Sequence, residues 1–85
     1  MVEPISLGSA RLGFAGRIHS LNPNGTETSL TSSELENRLI EMGFIEGARV
    51  EILHEGAFGS DPIAVRIDNA TVAIRRREAM AILVI

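Results

Sequence analysis

Beyond Ala48 the apolar residues fall at every second position, in short segments divided by turn formers. Val50 and Ile52 alternate with Arg49, Glu51 and Leu53. Ile63, Val65 and Ile67 alternate with Ala64, Arg66 and Asp68, and Val72 and Ile74 resume the pattern. Period two is the side-chain repeat of a strand with one buried face. Gly56–Pro62 reads as a loop and Asp68-Asn69 as a tight hairpin turn, since both residue types tolerate positive φ. A last segment, Ala81–Ile85, is apolar on both faces. That second face would need a partner or a copy of the same chain to cover it. Arg75-Arg76-Arg77-Glu78-Ala79 before it reads as a short turn or one helical turn, its arginines solvated apart from one internal ion pair through Arg75.

Upstream the period differs. Leu35, Leu39 and Met42 fall at i, i+4 and i+7, one face of a helix. Thr31 with Glu34, or Ser33 with Glu36, can form the capping box that starts it. Gly43 is placed to end it. Before the helix, Ala15–Leu21 reads as a strand with a glycine bend, where Gly16 marks a bulge or a close backbone approach. Asn22–Thr26 is a cluster of turn formers. Met1–Gly8 reads as a flexible lead anchored only by Leu7.

The order is therefore strand, helix, then four short strands, in a chain of 85 residues. A chain this size holds one domain, residues 1–85, with a small core. Five short strands on such a core close best into a small barrel that removes their edges. The expected fold is mainly β, a small SH3-like barrel with an inserted α-helix.

Composition excludes several classes. There is no cysteine, hence no disulfide, thiolate metal site or cysteine nucleophile. The formal net charge of −3 does not favour nucleic acid. Phe14, Phe44 and Phe58 are the whole aromatic complement, too few for a base-stacking platform. No apolar run approaches the roughly 20 residues of a membrane helix. No signal-peptide pattern opens the chain, so it is expected to work in the cytoplasm.

Arg38-Leu39-x-x-Met42-Gly43-Phe44-Ile45-x-Gly47-x-x-Val50 resembles the signature of the ferrous iron transport protein A (FeoA) family. Gly13-x-x-Gly16-x-Ile18 resembles its first strand. Asp61-Pro62-Ile63, Ala73-Ile74-Arg75-x-x-x-Glu78-Ala79 and Ile82-x-Val84 resemble its tail. Glu46 departs from the family's usual proline. The resemblance implies a small cytosolic SH3-like domain without catalytic residues or a cofactor. It would work beside the membrane ferrous iron transporter FeoB and its G domain, and meet the membrane only through that transporter. The same domain type also ends metal-dependent repressors. With Met1 first and no helix-turn-helix pattern, the free-standing form is expected.

Candidate contact residues follow from type and position. Arg38 either forms an i,i+4 pair on the helix, clamps the following turn, or meets a partner. Met42 and Leu39 read as core, with Met42 near the apolar helix end. Phe44 opens the turn after the helix and Phe58 sits between glycines in a loop; exposed, either would anchor a partner. Arg49 adds a polar contact. The expected partner surface is thus Arg38, Met42, Phe44, Arg49 and Phe58. The alternatives are a free-standing regulatory domain of the metal-dependent repressor type, or a ferrous carrier or sensor with His19, His54, Glu55 and Asp61 as the available ligands. Their spacing matches no ligand motif, and His54 shares the inward face of Val50 and Ile52.

Overall fold

Thr31 starts the first helix as its side chain allows. In the computed structural model, which describes residues 3–24 and 30–85, α1 spans Ser32–Glu41 with Thr31 as N-cap. The Thr31 hydroxyl accepts from the Glu34 amide at 3.2 Å, and the Glu34 carboxylate accepts from the Thr31 amide at 3.4 Å, the reciprocal capping box. The helix ends in a Schellman motif. The Phe44 amide donates to the Leu39 carbonyl at 3.0 Å, and the Gly43 amide to the Ile40 carbonyl at 2.9 Å. Gly43 takes a φ of 104° to make this turn, a region that L side chains rarely adopt.

The strands follow the period-two reading, with additions. β1 is Ile5–Ser6, β2 Ala15–Leu21, β3 Arg49–Phe58, β4 Asp61–Ile67, β5 Ala70–Ile74 and β6 Ile82–Val84. A 3-10 turn, Leu7–Ser9, follows β1, and a four-residue helix, α2 (Arg76–Ala79), separates β5 from β6. The sheet is antiparallel in the order β1-β6-β2-β3-β4-β5. It curls into the barrel-like SH3 form but does not close, so β1 and β5 remain edges. Each edge strand runs into a short helical turn, β1 into Leu7–Ser9 and β5 into α2. Those two turns pack on each other.

Four expectations are corrected. Met1–Gly8 is not a flexible lead over its described part. Ile5 pairs with Val84 and Ser6 with Leu83, while Leu7 is wholly buried. β6 needs a second neighbour, and this segment supplies it. Gly56–Pro62 is mostly strand: β3 continues to Phe58, and only Gly59 and Ser60 turn, at φ 68° and 60°. Two positive φ values in succession mark the tight hairpin turn whose twist suits its strands. The strand reaches that far because two register shifts, at Ile52/His54 and Glu55/Phe58, absorb extra residues. The first shift also turns His54 out to solvent instead of in with Ile52. Finally, β6 lies between β1 and β2, and Ala81, Ile82 and Val84 are fully buried by their own chain. That strand gives no reason for a second copy.

The core joins Leu35 and Leu39 of α1 to Ile18, Val50, Ile52, Ile63, Val65, Ile74, Ile82 and Val84 of the strands. Gly16 makes the close approach its position suggested: a methyl group there would collide with the Ile85 carbonyl. Of the turn cluster 22–26, Asn22, Pro23 and Asn24 are described and the rest lies outside the described residues. The Asp61–Pro62 peptide bond is cis.

Candidate functional site

No polar side chain is buried among the described residues, so what the molecule offers chemically is its surface. The Schellman turn that ends α1 decides the fate of Phe44. Position C″ of that motif folds back toward the helix, and Phe44 is fully buried in the core beside Leu39. Its expected role as an exposed anchor is therefore corrected. Met42, the C-cap, packs partly buried against the same core, while Ile40 and Ile45 stay about half exposed beside it (45% and 53%).

Arg38 makes neither an i,i+4 pair nor a clamp on its own turn. Its Nε lies 3.8 Å from the Glu78 carboxylate, which ties α1 to α2 across the barrel end. The arginine side chain is 58% exposed, so this contact is loose and screened.

Phe58 is the outlier of the surface. It closes β3 at the tip of the β3–β4 hairpin and is 90% exposed. The short turn carries it beyond the barrel, out of reach of the core. Arg49 opens the same strand, nine residues away, which at about 3.3 Å per residue is roughly 30 Å. Arg49 and Phe58 thus sit at opposite ends of β3. The five expected contact residues do not form one patch: Arg38 and Met42 share the end of α1, Phe44 is inside, and Arg49 and Phe58 stand apart.

The four possible metal ligands do not come together as a set, and two of them, Glu55 and Asp61, are engaged by Arg76. Nδ1 of His19 lies 2.9 Å from the Ser20 hydroxyl. The Asp61 carboxylate accepts from the Arg76 amide at 2.8 Å, and Glu55 accepts from the Arg76 guanidinium at 2.9 Å. Among the described residues no group of three or more His, Asp or Glu side chains converges as a cation site.

Arg76, not Arg75, is the internal member of the arginine triplet. Its Nε donates to the Ser60 carbonyl at 2.8 Å. Nη1 donates to the carbonyls of Ala10 at 2.7 Å and Gly8 at 3.2 Å, and Nη2 meets Glu55. One guanidinium fork thus fastens α2 to the 3-10 turn and to the β3–β4 hairpin, across the unclosed part of the barrel. Period two contained the signal: Val72 and Ile74 point inward, and Arg76 is the next residue in that phase.

A family model described as FeoA domain matches residues 5–85. Among solved structures, a FeoA-like protein from Clostridium acetobutylicum superposes at a TM-score of 0.78 with 24% identity, covering 99% of this chain and 87% of that one. Iron(II) transport protein A from Clostridium thermocellum gives 0.76 with 32% identity, over 94% of this chain and 44% of that one. Stenotrophomonas maltophilia FeoA, complexed with zinc and described as a prokaryotic SH3 domain protein, gives 0.72 with 23% identity, over 98% and 89%. A search of curated proteins returns no match.

Proposed function

The chain belongs to the FeoA family, and from that premise we propose that it is a non-catalytic accessory protein of ferrous iron uptake. It works in the cytoplasm, binds the cytosolic part of the membrane transporter FeoB and supports its activity through the G domain. The observation that carries this reading is the family match over residues 5–85, nearly the whole chain. Stenotrophomonas maltophilia FeoA is itself described as a candidate ferrous iron transport activating factor, which agrees with it. No helix among the described residues is long and apolar enough to cross a membrane, so the reading brings the chain to the bilayer through its partner.

Phe58 is the proposed anchor. An aromatic side chain 90% exposed at a hairpin tip costs solvation in the free protein, and a partner pocket would recover it. Arg38, Met42 and Arg49 are proposed as further contacts of a partner large enough to reach around the barrel. Co-expression of the tagged chain with full-length FeoB, followed by detergent size exclusion, tests the reading. Co-elution is expected, and Phe58→Ala should weaken it. Separate elution of two folded proteins would overturn the proposal.

A further inference from the structure

The outer face of β2, β3 and β4 carries an unexplained electrostatic cost. Arg17 and Arg49 are direct cross-strand neighbours, two like charges in a position where they repel. Arg66 stands on the same face, opposite Glu51. No carboxylate comes within ion-pair distance of any of these three arginines among the described residues. Arg17 spends one Nη1 on the Gly47 carbonyl, while the guanidinium groups of Arg49 and Arg66 make no bond there at all. Two carboxylates line the same groove, Asp68, which accepts from the Arg49 backbone amide at 3.2 Å, and Glu51; they offset two of the three positive charges and leave the groove net positive by one. The three arginines flank a shallow groove of about 760 Å³ whose floor includes Ala15 and Gly16.

We propose that this groove binds an acidic, extended peptide segment of a partner protein, whose carboxylates pair with Arg17, Arg49 and Arg66. Charge complementarity favours an acidic occupant: three guanidinium groups without an ion-pair partner face this groove against the carboxylates of Glu51 and Asp68, a net positive patch on a chain of net charge −3. Arginine forks match carboxylates in bidentate geometry. The three sit on three strands and in two successive cross-strand rows, which suits carboxylates spaced along a chain better than one compact anion. The small floor residues let a backbone lie close to the sheet. No aromatic side chain lines the groove, so single-stranded nucleic acid has nothing to stack on. Arg49 is shared with the proposed transporter contacts, but the test contains no transporter, so the two proposals fail separately.

The test is a fluorescence anisotropy titration of the full chain against a fluorescein-labelled decaglutamate peptide. At about 10 mM salt the screening length is about 30 Å, and near 150 mM it is about 8 Å. Binding is expected at the lower salt, with clear weakening at the higher. Arg49→Gln with Arg66→Gln should weaken it about tenfold or more. The control, Arg75→Gln with Arg77→Gln, removes the same charge elsewhere and should change it by less than about twofold. The first pair should leave the melting temperature near that of the parent, because Arg49→Gln relieves the repulsion with Arg17 while Arg66→Gln removes the charge opposite Glu51. On peptide addition, the amide NMR signals of Ala15, Gly16 and Glu51 should shift. Absence of peptide binding, equal weakening by the control pair, displacement of the peptide by equimolar pyrophosphate, or shifts confined to another face would each overturn the proposal.

Discussion

Replacing Arg76 by alanine should destabilise the protein more than any other single charge removal. The guanidinium is 19% exposed and Glu55 29% exposed, so the ion pair itself is partly solvated. The carbonyls weigh more. Gly8 and Ala10 are buried, and water does not readily replace the donor they share. Leaving a buried acceptor unpaired costs about 1–3 kcal/mol each, with coupling between the two reducing the sum. The expected loss is about 2–4 kcal/mol. Ordinary stability at about 0.05–0.15 kcal/mol per residue gives a domain of 85 residues roughly 4–13 kcal/mol, so the variant stays folded but marginal. The melting temperature should fall on the order of 10–30 °C. Urea unfolding followed by circular dichroism measures it, since the chain has no Trp or Tyr to report by fluorescence. Glu55→Gln keeps an acceptor oxygen and removes only the ion pair, so it should cost below about 1 kcal/mol. An Arg76→Ala loss under about 1 kcal/mol, or a Glu55→Gln loss equal to it, would refute the argument that the carbonyls are what Arg76 holds.

Three further outcomes follow from burial and capping. Phe44→Ala should cost about 3–5 kcal/mol in the same urea assay, because the ring is fully buried, whereas a surface anchor would cost almost nothing. Thr31→Ala removes the capping hydroxyl and should cost about 1 kcal/mol, read as a lower urea midpoint at unchanged slope. Phe58→Ala, which unlike an acidic substitution adds no like charge opposite Asp61, should leave stability within about 0.5 kcal/mol of the parent, which separates any loss of partner binding from loss of fold.

The elements were legible wherever local rules act alone. Gly43 ends the helix through its own φ, so that end of α1 could be read from spacing, while the start was narrowed to two capping boxes, Thr31 with Glu34 or Ser33 with Glu36, of which the first forms. Val50, Ile52, Ile63, Val65 and Ile67 keep the inward phase that alternation gives them. The reading failed where a distant segment intervenes. β1 exists because β6 offers it an edge, and Ile5 and Val84 are 79 positions apart. His54 faces solvent because the β3–β4 register slips one residue before it, and alternation carries no mark of a bulge.

The candidate surface shows the same division. The glycine-flanked position of Phe58 near a turn allowed exposure without requiring it, and the hairpin tip leaves it 90% exposed. Phe44 sits just as plausibly in a turn, but the fold-back of the Schellman motif takes it inside. Arg75, Arg76 and Arg77 differ in the chain only by phase, and what Arg76 binds comes from the 3-10 turn, β3 and the β3–β4 turn.

By itself the sequence determined what depends on residues near one another: the strand and helix periods, the cap, the turns, and the family signature around Met42-Gly43-Phe44. Only the tertiary structure decided which arginine is internal, which phenylalanine is buried, and that Arg17, Arg49 and Arg66 meet on one face. Those facts depend on strand order and register, which are fixed by core packing across the whole chain, and no local window contains them.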